Sequence, residues 1–433
     1  MLRDLMRPRI PLGRASLLAS SIIRDARRAG FGTGTVTAVG RLRRFAPATC
    51  DVALLGVAPA GRHAQLVDAF ARLPIVISII AREPSRVRVE TPRGPVTLHL
   101  ADPDHAGAAL VWHTGSRAHV AQLQARAERL GVRFADGRIA HASGAPLSCV
   151  TEQDLYDLLD LRFVAPELRD GDGEIEAAGE GRLPRLLSDL DIRGDLHMHS
   201  TWSDGRDTIA DMVSAARQLG YEYIAITDHS ERAWSSRTLR AADVDRQRDE
   251  IDAVRAKTRA IEVLHGVEVD IMHDGSLDFD DEVLGRFDIV LASLHDHGGH
   301  DGRRLTERYL RAIHHPLVNV ITHPTNRVPG QSDGYALDFE ALCAAAEDTG
   351  TALEIDGAPG HLDLDGILAR RAAAAGVTIE VGSDGHGVDT LGRQMQFGVG
   401  TARRGWIEPQ QVLNTRSAAD VRAFIARKRA RGA

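Results

Sequence analysis

Asp195-Leu196-His197-Met198-His199 opens a series of imidazoles and carboxylates that runs through the C-terminal half of the chain. Asp204 follows, then Thr227-Asp228-His229, Gly266-Val267-Glu268-Val269-Asp270, Ser293-Leu294-His295, Thr322-His323-Pro324 and Ser383-Asp384-Gly385-His386. His197 and His199 stand two apart in an apolar run, so on a strand both rings leave the same face and can grip one cation. Asp384 and His386 repeat that spacing. Nitrogen and oxygen donors without sulfur suit zinc, manganese or iron. Glu268 has two carboxylate oxygens and can join two cations, which a neutral imidazole cannot. The chemistry expected of such a set is metal-assisted hydrolysis, with His197, Glu268 and Asp384 at its centre. Arg206, Arg232 and Arg237 follow ligand motifs and are candidates to neutralise an anionic substrate, Arg206 first among them. Each alone reads more readily as a solvated loop charge. Asp228 and Asp270 are candidates to orient ligand histidines.

What must hold these groups is a regular alternation that begins at Ile192. Apolar runs at 194–197, 223–227, 261–269, 289–294, 318–322, 352–355 and 377–381 read as strands. Helical patterns at 209–219, 243–256, 305–313, 339–348 and 364–375 separate most of them. Strand alternating with helix implies parallel strands with right-handed crossovers. Seven continuous apolar strands predict a (β/α)7 barrel with helices outside. Six of the seven run into a possible ligand, and C-terminal strand ends of such barrels face one mouth. His297, His300, His314 and His315 end no strand and are read as ordinary surface or core histidines.

The first part of the chain mixes short strands with helices, an α+β pattern. Val52–Gly56 and Val96–Leu100 read as strands, and Ser116–Leu130 as an amphipathic helix stopped by Gly131. Residues 165–184, rich in Glu, Asp and Gly, read as a loop or tether. Charge is uneven: residues 1–100 hold 16 Arg, no Lys and 6 acids, a balance of +10, against −7 for the whole chain. That basic end admits a phosphate-rich partner, although Lys257 and Lys428 are the only lysines and Arg is the general basic residue here. Cys50, Cys149 and Cys343 have no CxxC spacing, form neither a disulfide framework nor a thiolate site, and fit a cytoplasmic protein. Pro8, Arg9, Pro11 and Arg14 interrupt any signal-like run, and no stretch approaches about 18 apolar residues, so no membrane span is expected.

With these motifs, the chain from Ile192 to about Thr415 resembles the PHP (polymerase and histidinol phosphatase) domain. The resemblance implies a distorted seven-stranded barrel and a trinuclear metal site that hydrolyses phosphoesters. It implies His197, His199, Glu268 and Asp384 around a first divalent ion, Glu268, His295 and His323 around a second, and Asp204, His229 and His386 around a third. More specifically, the whole chain resembles the palm, thumb and PHP portions of a bacterial family X DNA polymerase. Arg9-Ile10-Pro11-Leu12-Gly13 is similar to the start of that palm, Pro166-Glu167-Leu168-Arg169 to its linker, and Gly398-Val399-Gly400 to its C-terminal end. The implied organisation is a palm-like domain over 1–110, a thumb-like region over 111–164, a linker over 165–191, the barrel over 192–420 and a tail over 421–433. The resemblance starts at the palm, so the family's lyase domain and helix-hairpin-helix DNA grips are not expected.

Departures from that pattern bear on function. The family's Gly-Asp-x-Asp aligns with Cys50-Asp51-Val52-Ala53, and its third Asp with Thr97. Its phosphate-binding Gly-Ser is Gly40-Arg41, and its aromatic pair before Thr114-Gly115-Ser116 is Trp112-His113. One carboxylate does not hold two magnesium ions for phosphoryl transfer, so no polymerase activity is expected. The palm is then a substrate platform at most. The leading expectation is a 3′–5′ exonuclease or 3′-end processor of DNA. A phosphatase for small molecules, such as histidinol phosphate, uses the same ligands. A non-catalytic DNA-binding scaffold has no need of them. An amidohydrolase bridged by a carbamylated lysine is excluded, because neither lysine ends a strand. DNA 3′ ends or a small phosphoester are thus the expected partners, and no protein partner is readable.

Overall fold

The computed structural model describes residues 9–31, 36–258 and 260–431. Met1–Pro184 and Arg185–Ala433 form two compact units. The Arg-rich segment up to Pro8 lies outside the described residues.

In the first unit, five strands make one mixed sheet: β1 (Val36–Val39), β2 (Val52–Val57), β3 (Ser78–Glu83), β4 (Arg86–Thr91) and β5 (Gly94–Ala101), ordered β1-β2-β5-β4-β3. β2 and β5 are parallel and in register, with Ala53 opposite Thr97. Helix α1 (Leu12–Ala26) buries Ala15, Leu18, Ala19 and Ile22, the i, i+3, i+4, i+7 stripe that an amphipathic helix lays on a sheet. The expected helix after Thr114 is α2 (Arg117–Arg129), started by Ser116, whose hydroxyl accepts from the His119 amide at 3.1 Å. The β3–β4 hairpin was not foreseen. All of β3 is exposed and so carries no apolar/polar alternation.

Residues 165–184 are more structured than a tether. Arg169 is wholly buried and its guanidinium binds Glu152 at 2.5 Å and the Val164 carbonyl at 2.8 and 3.0 Å. Glu174 opens a short helix (Glu174–Gly179) and meets His119 at 2.6 Å. Among the acidic residues that suggested a solvated loop, Glu167 and Glu174 are buried, while Asp172, Glu176 and Glu180 stay exposed.

The second unit is a seven-stranded parallel barrel: β6 (Gly194–Asp195), β7 (Tyr223–Ile226), β8 (Glu262–Asp270), β9 (Ile289–Ser293), β10 (Val320–Ile321), β11 (Ala352–Asp356) and β12 (Ile379–Gly382), each pairing with the next. A parallel bridge between Met198 and Gly385 joins the first strand to the last. Helices Ile209–Gln218, Val244–Lys257, Gly302–His314, Phe339–Thr349, Gly366–Ala374 and Leu391–Arg404 lie between or after strands. Alternate residues divide the strands between two cores. Val263, Val267, Val290, Ala292, Leu353, Ile355, Ile379 and Val381 share a core with helix residues such as Met212, Ile251, Tyr309 and Leu342. Leu264, Ile289, Leu291, Val320 and Ala352 form a second core with Leu413, Val421, Phe424 and Ile425. The last three belong to α3 (Ala418–Arg431), which corrects the expectation of a tail after residue 420. Burying each such side chain contributes about 1.5–3 kcal/mol, so this helix belongs to the barrel core.

Candidate metal centre

The inner residues of the barrel change character along each strand. Leu264 is followed at intervals of two by Gly266, Glu268 and Asp270, Leu291 by Ser293 and His295, and Ala352 by Glu354 and Asp356. Apolar side chains thus fill one end, and polar ones of the same parity fill the C-terminal end. His197, His199, Glu268 and Glu354 are wholly buried there.

Glu268 is the hub. Its Oε1 lies 2.9 Å from His323 Nε2 and 3.5 Å from His295 Nε2. Its Oε2 lies 2.7 Å from His229 Nδ1 and 3.6 Å from Nε2 of both His197 and His199. Asp384 Oδ1 stands 3.1 Å from His199 Nε2 and 3.7 Å from His197 Nε2. Asp204 Oδ1 stands 3.2 Å from His386 Nε2 and 3.6 Å from His229 Nε2. All nine residues singled out in the sequence therefore meet at one mouth. His199, Asp204, His229 and His386 each bring one donor atom to within 4.8 Å of the others, as do His197, His199 and Asp384, and His229, Glu268 and His295. His323 and Asp384 adopt left-handed backbone (φ 27° and 50°), conformations that persist where the surrounding structure holds them.

These donors fit divalent cations. Nε2 atoms of His197 and His199 face each other at 3.2 Å. Glu268 Oε2, His229 Nδ1 and Asp204 Oδ1 are buried without a hydrogen-bond partner, the first two despite their 2.7 Å approach. A bare buried carboxylate oxygen costs about 1–3 kcal/mol or more, and a shared ion removes that cost. The electrostatics agree. Burial opposes ionisation of Glu268, yet His229 and His295 hold it well below the usual carboxylate range. Burial alone would lower His386, but Asp384 and Asp204 raise it to about 9. Burial, then His386 and His229, push His199 down to about 3. The same pocket stabilises a proton on one ring and repels it from another.

Supporting groups differ in part from expectation. Asp270 receives His295 Nδ1 at 3.0 Å, as foreseen. Asp228 orients no histidine: its carboxylate accepts from Ser200, Ser203 and Gln247 at 2.6–2.8 Å, bracing the loop after His199. The group missed in the sequence is Glu354, which accepts from His197 Nδ1 at 2.6 Å and from the His323 amide at 2.8 Å. A Cβ on Gly382 would lie 2.3 Å from Glu354 Oε1, so only glycine leaves that carboxylate its place. Glu354 sits two residues before Asp356, the spacing of His197 and His199, and that repeat was the available signal. Arg206 lies at the rim, ion-paired with Asp389 and 3.4 Å from the His386 carbonyl. Arg232 meets Asp278 at 3.5 Å, and Arg237 donates to the Gly205 carbonyl at 2.9 Å. His297, His300, His314 and His315 stay outside the four donor groups.

The PHP domain matches residues 195–355, and the DNA polymerase beta thumb matches residues 109–170. A probable phosphatase of Thermoanaerobacter sp. (strain X514) is 31% identical over 233 residues, 51% of this chain and 89% of the relative. The chain belongs to the PHP family. A probable phosphatase of Syntrophotalea carbinolica is 27% identical over 241 residues, covering 53% of this chain and 94% of that relative. The DNA polymerase/3′-5′ exonuclease PolX of Bacillus subtilis (strain 168) is 36% identical over 371 residues, 84% of this chain and 64% of the relative. The chain thus spans just under two thirds of that polymerase. Among the described residues, no helix is long and apolar enough to cross a membrane.

In the first unit, Asp51 accepts from Thr97 at 3.1 Å, and Thr97 stands beside Ala53 in register. The positions aligned with the polymerase carboxylates are therefore adjacent, but they offer one carboxylate, one hydroxyl and one methyl group. All four donor groups found among the described residues lie in the barrel.

Proposed function

We propose that this protein is a phosphoesterase with three divalent cations, removing nucleotides from DNA 3′ ends and lacking DNA polymerase activity. The observation that carries the reading is the convergence of nine His, Asp and Glu side chains, Glu268 among them, at one mouth of the barrel. Similarity over 84% of this chain to a protein named as a polymerase and 3′–5′ exonuclease, together with the thumb match, supports DNA as substrate. The replacement of two palm carboxylates by Ala53 and Thr97 supports the absence of polymerase activity.

His197, His199, Glu268 and Asp384 would hold one ion, Glu268, His295 and His323 a second, and Asp204, His229 and His386 a third. A zinc, manganese or iron ion held by these residues would supply Lewis-acid activation of water and neutralisation of phosphoryl charge. The protein keeps the donors aimed. Glu354 accepts a hydrogen bond from the Nδ1–H of His197, which leaves Nε2 free to face the centre. Asp270 does the same for His295. Arg206, ion-paired with Asp389 at the rim, would meet an oxygen of the substrate or leaving group.

A small phosphomonoester is the second reading, favoured by the probable phosphatases whose length the barrel nearly spans. Purified protein and His197→Ala, incubated with 3′-labelled DNA and Mn2+, separate the two. Nucleotide release by the unaltered protein alone, falling steeply with added salt, is expected. Hydrolysis of a small phosphomonoester without nucleotide release would refute the DNA assignment and retain the phosphoesterase.

A further inference from the structure

We propose that the mouth holds a further divalent cation, beyond the nine-residue set, between Asp356, His361 and Asp384. One donor atom of each lies within 4.8 Å of the other two. Asp356 ends β11 and is wholly buried. Its Oδ1 accepts from the Ala358 amide at 2.5 Å, while Oδ2 has no hydrogen-bond partner. His361 Nδ1 is likewise buried and unpartnered. Asp356 and His361 thus each carry a buried donor atom without a partner, and each brings one donor atom close to the Asp384 carboxylate.

The backbone builds this arrangement. His361 and Leu362 donate to the Ala358 carbonyl at 3.0 and 2.9 Å, turning the chain after β11 back on itself. Asp363 and Glu354 then accept from, respectively, the amides of Asp356 and Leu364 at 2.6 and 2.9 Å, closing the turn. The His361 ring is held against that of His323, with centroids 5.1 Å apart and planes 23° apart. The imidazole is therefore fixed over the mouth rather than free in solvent.

Charge makes the same demand. Asp356 and Asp384 are both buried, and burying neighbouring carboxylates without a cation is costly. An O,N,O donor set suits first-row divalent ions, and Asp384 has two oxygens with which to serve two of them. Its Oδ1 faces His197, His199 and His386 at 3.7, 3.1 and 3.5 Å. The added ion would neutralise Asp356 and pin the turn that carries His361. It rests on the reading of the mouth as a metal centre.

The test is a count of bound Mn2+. Chelator-stripped wild type, His361→Ala, Asp356→Asn and His197→Ala are equilibrated with Mn2+, and the free ion is measured by its paramagnetic resonance signal. Wild type should bind one equivalent more than either His361→Ala or Asp356→Asn, with all melting alike in chelator. Equal Mn2+ uptake by wild type and His361→Ala, with less by His197→Ala, would overturn this site and leave the main centre standing. No uptake by wild type would overturn both. If Asp356→Asn fails to fold, His361→Ala decides, since it removes only a ring at the edge of the mouth.

Discussion

Glu354→Gln isolates how the barrel aims its donors. The carboxylate is wholly buried, accepts from His197 Nδ1 at 2.6 Å and from the His323 amide at 2.8 Å, and so fixes two expected ligands at once. Glutamine has nearly the same volume, but its amide group can donate to Nδ1, which shifts the His197 proton to Nε2 and spoils that atom as a ligand. A hydrogen bond to a charged group contributes about 1.5–3 kcal/mol. At about 1.36 kcal/mol per decade this is a loss of roughly 10–150-fold in metal affinity. Losses on removing such supporting partners run about 10–100-fold, so the two estimates agree. Mn2+ affinity is measured by competition with a chelator, and nucleotide release at limiting and saturating Mn2+. Affinity should fall by one to two decades, with most activity recovered at saturating metal. Unchanged Mn2+ affinity would refute the argument. So would an activity loss that saturating metal cannot repair while affinity holds.

Three further outcomes follow from particular contacts. His99 and His113 stack at 3.9 Å; burial, then His113 and Arg86, lowers His99 to about 3, and burial, then Arg86, lowers His113 to about 4. The unfolded rings titrate near 6.5, so the unfolded chain binds more protons below that pH and stability must fall as pH drops through about 6.5 toward 4. For a shift like that of His113 the loss is about 2 kcal/mol at pH 5, and His99→Gln/His113→Gln should flatten the dependence in urea melts of the first unit taken between pH 7.5 and 5. Glu152 joins Arg43 and Arg169 at 2.6 and 2.5 Å, so Glu152→Gln should cost about 3–5 kcal/mol, read as a lower urea midpoint for that unit. Phe424→Ala removes a nearly buried ring from the inner core and should cost about 3–5 kcal/mol in barrel stability by thermal melting, where an exposed tail would give no change.

The barrel was legible because it obeys one rule seven times. Strands buried on both faces are continuous apolar runs, and the helices between them repeat at 3.6 residues, so Ile289–Ser293 or Phe339–Thr349 is recovered almost to its bounds. Elements without that contrast were lost. Ser78–Glu83 is exposed on both faces, leaving no periodicity to read. Helix Ala418–Arg431 carries many arginines around Val421, Phe424 and Ile425, so its composition suggested solvent while its apolar stripe sits in the inner core. Residues 165–179 misled in the same way, since Arg169 and Glu174 are charged yet buried in pairs that only the tertiary fold supplies.

The site was legible for a related reason, and incompletely. A ligand that closes a strand interrupts an apolar run, so His295 after Ser293-Leu294 or Asp384 after Ser383 stands out. Glu354 lies inside a strand, flanked by Leu353 and Ile355 that face the helices, and a search for terminal polar residues passes over it. Parity would have found it. Inner positions run Ala352, Glu354, Asp356 on one strand and Leu264, Gly266, Glu268, Asp270 on another, each from apolar to acidic along the chain. The end lined by Leu264, Ala352 and α3 packs tightly, and carboxylates placed there would have no cation to meet. At the opposite end the same alternation delivers Glu268, Glu354 and Asp356 to the histidines. The polarity of a parallel barrel therefore does two jobs with one periodicity: it assigns apolar packing to one end and the candidate cation donors to the other. This is why a palm with a single remaining carboxylate and a barrel with nine expected ligands can coexist in one chain, each core being built by residues the site does not use.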